Sequence, residues 1–115
     1  MKYFLNEDER KESNSTCYHE FAKGEWNEEA CVFWQKDSMN IHDDLLISLK
    51  LDTLFSSIVE DYSPTGETKI NKKQWRKIYV KAEEICGYLL DAILEVTPWV
   101  EANFRQYEVF TILGV

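Results

Sequence analysis

Two histidines, three cysteines and several adjacent carboxylates are the side chains in this chain suited to metal or acid–base chemistry. His42 lies in the run Asn40, Ile41, His42, Asp43, Asp44. A metal site would want ligands at i+3 or i+4, and the two aspartates flank His42 without that spacing. They suit the first turn of a helix, where acids complement the helix dipole. His19 stands two residues from Cys17, which is no metal or redox spacing. A Cys–His nucleophile pair is spatial and not sequential, so Cys17 and Cys31 remain the candidates for a thiol enzyme. No C-x-x-C pair is present, and an odd count of three cysteines suits a reducing compartment. Four glycines, at 24, 66, 87 and 114, allow neither a phosphate-binding loop nor a nucleophile elbow. The pairs Glu28–Glu29, Asp43–Asp44, Glu60–Asp61 and Glu83–Glu84 diverge by about 100° on a helix, which makes a solvated face and not a catalytic dyad. The residues thus predict no catalytic group, no metal and no cofactor, and a protein that is not an enzyme.

The acids carry a different message through their placement. The net charge is −8. Residues 1–62 hold 14 acids against 6 bases, and residues 63–115 hold 7 of each, so the whole excess is in the first half. Such a surface repels nucleic acid and anionic membrane and is steered toward basic surfaces. Partner contact is expected first at Asp43, Asp44, Glu60 and Asp61, which a helix would present rigidly. Trp26, ringed by polar residues including Glu28 and Glu29, suits an interface anchor, although it could equally tuck under a loop. The acidic cluster at residues 7–12 is a more flexible candidate. One local rule is broken: Lys72, Lys73, Arg76 and Lys77 crowd a helix N-terminus, which is unfavourable by about 0.3–1 kcal/mol each when exposed. Either the acidic half of the chain lies against them, or they meet an anionic group of a partner.

The elements expected to hold these residues are helical. Asn71 and Gln74 form a capping box, Ile70 and Trp75 a hydrophobic staple. Behind them Trp75, Ile78, Tyr79, Ala82, Ile85, Cys86, Leu89, Leu90, Ile93 and Val96 make one stripe at helical spacing. A single helix is expected over residues 72–96, with Cys86 a buried, inert thiol on its apolar face. Thr97 and Pro98 then read as the start of a short helix to about residue 107. Residues 41–62 form a second helical region, capped by Asn40. It either breaks near residues 50–52, with Asp52 capping the second piece, or is buried on two sides. Residues 62–69 are turn-rich. Residues 109–113 are apolar and β-branched, and residues 31–35 are similar enough to pair with them, although a helix starting near Asn27 competes there. Tyr18, Phe21 and Ala22 give a weak helical pattern. The fold class predicted is mainly α: one compact domain over residues 1–115, with a minor two-stranded element. No apolar run reaches the roughly 20 residues of a membrane helix, and the N-terminus turns acidic too early for a signal peptide. A cytoplasmic protein is expected.

Two stretches carry a resemblance. One is residues 62–78, a turn with Pro64 and Gly66 followed by the capped helix with its early Trp75. The other is the apolar ending from Phe110 to Val115. Together they resemble the small bacterial immunity proteins of contact-dependent and polymorphic toxin systems, which are often acidic and of this size. The resemblance covers about the last half of the chain and implies an antidote that binds a cognate toxin domain, commonly a nuclease, and blocks its basic cleft. The alternative is a regulatory adaptor that binds a cytoplasmic protein with no toxin involved.

Overall fold

The computed structural model describes residues 2–26 and 33–115. Among them the chain forms, in order, α1 (Glu7–Ser13), β1 (Tyr18–Lys23), β2 (Met39–His42), α2 (Asp43–Ser48), α3 (Leu51–Ile58), β3 (Glu67–Asn71), α4 (Lys72–Ile85), α5 (Gly87–Phe104) and β4 (Val109–Leu113). The fold is therefore α+β, and the expectation of a mainly α domain is wrong. Four antiparallel strands in the order β2-β1-β4-β3 make a full sheet.

The sheet escapes the periodicity reading for a physical reason. An exposed sheet face yields polar–apolar alternation, which a strand covered on both faces lacks. β1 is such a strand. Phe21 faces the helices, with its ring against Phe4, Phe55, Trp99 and Phe110. On the other face Glu20 and Ala22 are buried as deeply, beneath residues 24–26 and 34–38. There Trp34 N–H and Gln35 N–H donate to the Glu20 carboxylate, and Trp26 N–H donates to Thr111 Oγ1. β3 is an edge strand and does alternate: Thr68 and Ile70 are buried while Glu67, Lys69 and Asn71 are exposed. It is only five residues long and stands beside Gly66 and Pro64, so it reads as part of the turn. β4 is a strand, as expected, but its partners are β1 and β3 and not residues 31–35. Of those residues, 31 and 32 lie outside the described part, and 33–35 are not strand.

The expected helix over residues 72–96 is two helices. Asn71 and Gln74 do form the capping box that starts α4. Cys86 (φ 63°, ψ −161°) and Gly87 (φ 70°) then reverse the chain with no intervening loop. A straight helix would separate Lys72 from Arg105 by about 50 Å. They line the same groove instead, in a molecule whose longest extent is 36 Å. The break leaves no trace in the apolar spacing. Trp75, Ile78 and Ala82 on α4 and Leu89, Ala92, Ile93, Val96 and Val100 on α5 are buried and follow one phase across it. Between them Ile85 and Cys86 are exposed, so the buried thiol expected at Cys86 is not found. Nor does Pro98 start a new helix. It lies inside α5, whose preceding turn is tied by Thr97 Oγ1–H donating to Ile93 O at 2.6 Å.

The second helical region does break, at Lys50 (φ 62°), which precedes α3 without a side-chain cap. Asp52 lies in the first turn of α3 and is not its cap. Asn40 belongs to β2, and His42 caps α2 by accepting from Asp44 N–H at Nδ1. One core results, between the helical face of the sheet (Phe21, Ile41, Ile70, Phe110, Ile112) and α3, α4 and α5. The segment before α1 closes its rim. Tyr3 N–H and Phe4 N–H both donate to the Glu95 carboxylate on α5, while Leu5 bridges to Asn40 on the β2 edge.

Candidate functional site

The register of β1 on β2 sets Tyr18 opposite His42, and α2 starts directly after His42. That places Asp43 above the end of β1. Asp43 N–H donates to Cys17 O at 2.8 Å, and the buried His19 donates from Nε2 to Asp43 Oδ1 at 2.7 Å. His19 Nδ1 has no partner among the described residues. A His–carboxylate pair could orient a general base, yet Cys17 Sγ, although exposed, makes no hydrogen bond to either histidine among the described residues. No nucleophile hydrogen-bonds to that ring nitrogen, and no group of three or more metal-ligating side chains occurs, among the described residues.

Tyr62 ties this point to the far end of α3. Its ring packs on Phe55, centroids 5.8 Å apart. Its hydroxyl is buried without a hydrogen-bond partner among the described residues. Burial, and then the nearby carboxylates of Asp52 and Asp43, push its ionisation up to about 12. Asp43 and Asp52 therefore lie close to Tyr62, which directly follows Glu60 and Asp61. Of the four acids expected from sequence, Asp43 and Asp44 open α2, whereas Glu60 and Asp61 lie in the turn after α3 ends at Ile58 and not on the expected helix. Asp44, Glu60 and Asp61 are exposed, and Asp43 is half-buried. None of the four makes an ion pair with Lys or Arg among the described residues; Asp43 and Asp44 meet only His19 and His42.

Trp26 lies elsewhere and is half-buried. Its ring rests on Phe33 with centroids 5.0 Å apart. Both rings line a groove of about 270 Å³ with Thr65, Gly66 and Glu67, on the connection that follows Asp61. Trp26 is thus half-buried against Phe33 at the edge of a surface groove. Glu28 and Glu29 lie outside the described residues.

Asp52, His19 and Tyr62 carry no local signal in the sequence. His19 and Asp43 are 24 positions apart, and only the β1–β2 pairing makes them neighbours. No helix among the described residues is long and apolar enough to cross a membrane. No family model, no curated protein and no solved structure matches this chain at a significant level.

Proposed function

We propose that this chain is a binding protein whose acidic α2–α3 end engages a partner protein with a basic surface. One observation carries the reading: Asp43 and Asp44 at the start of α2, and Glu60 and Asp61 in the turn after α3, have no Lys or Arg partner among the described residues. Carboxylates left so are available to steer and then pair with a cationic partner. The resemblance of residues 62–78 and 110–115 to immunity proteins supplies the kind of partner. It is a cognate toxin domain, a nuclease whose basic cleft is blocked. On this reading the chain holds no catalytic group or cofactor and works in the cytoplasm, where the toxin would act.

The test is genetic and then kinetic. The toxin-like reading frame next to this gene is expressed with and without the chain. Protection is expected, and equal killing in both cases rules out the antidote reading. With the purified pair, Glu60→Lys and Asp61→Lys together should slow association at least tenfold at low salt while leaving the melting temperature unchanged. Unchanged association would remove the acidic end from the interface.

A further inference from the structure

The second half of the chain, neutral as a whole, carries a groove with a net positive lining. α4 and α5 fold back on each other at Cys86–Gly87, and at the open end of this hairpin lies a groove of about 520 Å³. Lys72 and Arg76 from α4 and Arg105 from α5 line it, with Glu101 as the one carboxylate. Trp75, Tyr79 and Phe104 supply aromatic walls. All three cations are exposed. None makes an ion pair within 4 Å among the described residues, where Lys81–Glu84 and Lys69–Glu25 are the ion pairs of this half. Among the described residues the acidic half therefore makes no ion pair with the cations at the start of α4, although one of the two sequence readings required such pairing. Lys72 and Arg76 remain against the positive end of the helix dipole, joined by Arg105 from another helix. Sites where a local rule is broken without compensation are where function is expected.

The geometry points to this groove as a binding site for a small anion with a planar apolar body, an aromatic carboxylate or phosphate. The volume lies within the roughly 300–1,000 Å³ of small-ligand sites, which join apolar walls to a few convergent polar groups. Two guanidinium groups give planar, paired donors matched to carboxylate and phosphate oxygens. The whole-molecule charge decides between a small anion and a polyanion. The Debye length is about 8 Å at physiological salt, and the molecule measures 36 × 29 × 24 Å. A small anion in the groove feels mainly the net positive lining. An extended polyanion would also lie along the surface of a chain that carries −8 overall. This site is independent of the acidic end and of any toxin.

The probe is 8-anilinonaphthalene-1-sulfonate, with N-phenyl-1-naphthylamine as its neutral counterpart, each titrated by fluorescence into the full chain. The sulfonate is expected to bind and the neutral amine to bind at least tenfold more weakly. Arg76→Gln and Arg105→Gln should each weaken the sulfonate about tenfold, as loss of a charge-assisted contact requires. Lys73→Gln, on the same helix but outside the groove, should leave binding unchanged. Circular dichroism confirms that all three variants are folded. Displacement by benzoate and by phenyl phosphate then separates the two head groups, and the one that competes at lower concentration names the ligand class. Equal binding of the charged and neutral probes, or equal affinity in all variants, overturns the proposal. So does displacement by poly-L-glutamate or a single-stranded oligonucleotide at lower concentration than either small anion, which would assign the groove to a polyanion.

Discussion

Cys86 is the residue most at odds with its own backbone, and replacing it with glycine should make the protein more stable. Its φ of 63° and ψ of −161° fall in a region that essentially only glycine occupies. Holding a side chain there costs on the order of 1–3 kcal/mol. Cys86→Gly removes that strain. Two terms oppose the gain. The unfolded chain gains about 0.5–1 kcal/mol of conformational freedom, and the exposed Cys86 Sγ–H···O contact to Glu83, 3.0 Å long, is lost. A thiol is a weak donor, so that loss is a few tenths of a kcal/mol by comparison with an ordinary hydrogen bond. The net expectation is a stabilisation of about 1 kcal/mol, or a melting temperature higher by about 4 °C for a domain of this size. Cys86→Ala is the control. It loses the same thiol contact but keeps the strained Cβ, so it should stay within about 0.5 kcal/mol of the parent. Its neighbour gives the converse. Gly87 has φ 70°, and nothing lies within 4 Å of the position a methyl group would take there. Gly87→Ala should therefore cost about 1–2 kcal/mol through the backbone alone. Urea unfolding followed by tryptophan fluorescence measures all three, with an unchanged m-value showing that one transition is compared. If Cys86→Gly is no more stable than Cys86→Ala, the strain argument is wrong.

Three further outcomes follow from single contacts. A Cβ on Gly114 would lie 2.3 Å from Pro64 O, so Gly114→Ala should destabilise by about 1–3 kcal/mol; an unchanged thermal midpoint would show that the 64–66 turn yields freely. Glu20→Ala strands three donors, Trp34 N–H, Gln35 N–H and Ser38 Oγ–H, and should cost about 3 kcal/mol or more. Hydrogen exchange should then show lost protection at the amides of Trp34 and Gln35, and retained protection there would refute the account. The Tyr62 phenol titrates near 10 when unfolded and near 12 when folded, so the folded state holds its proton more tightly. That contribution to stability is complete below pH 10 and is lost as pH rises from 10 through 12. Tyr62→Phe should abolish this alkaline loss and, having no stranded hydroxyl, be at least as stable as the parent at pH 8. Urea midpoints at about pH 8 and about pH 11 that shift equally in both proteins would contradict it.

Legibility in the sequence follows the range of the forces involved. The cap at Asn71 and Gln74 is readable because its partners lie three residues apart. The break at Lys50 is half legible: Leu45, Leu46 and Leu49 leave the stripe of the following turns, which fits either a break or a helix buried on two sides. Asp43 and Asp44 are legible as the acids that begin a helix, while Glu60 and Asp61, expected on the helix, fall in the turn beyond its end at Ile58. The sheet is not. β1 is covered on both faces and β3 is five residues beside a turn, so neither gives a clean period of two over enough positions. The hairpin at Cys86–Gly87 is hidden because α4 and α5 keep one apolar phase across it; Gly87 alone marks the site. The basic groove is half legible. Lys72 and Arg76 stand out as cations at a helix start, while Arg105 joins them only after the chain has reversed.

The position of β4 has a consequence for how the chain assembles. Residues 109–113 lie between β1, which is about ninety positions earlier, and β3, about forty positions earlier. Neither interior pairing can form until that segment is present, and bringing such distant strands together is an entropic search that slows folding. Until then β1 and β3 each expose an unpaired edge, the condition in which strands recruit the wrong neighbour. The capped α4 and the α2–α3 hairpin need no such closure and can form early. β4 is thus the strand that joins the β2–β1 pair to β3, and cutting the chain before residue 109 would leave the sheet in two pieces with no strand to join them.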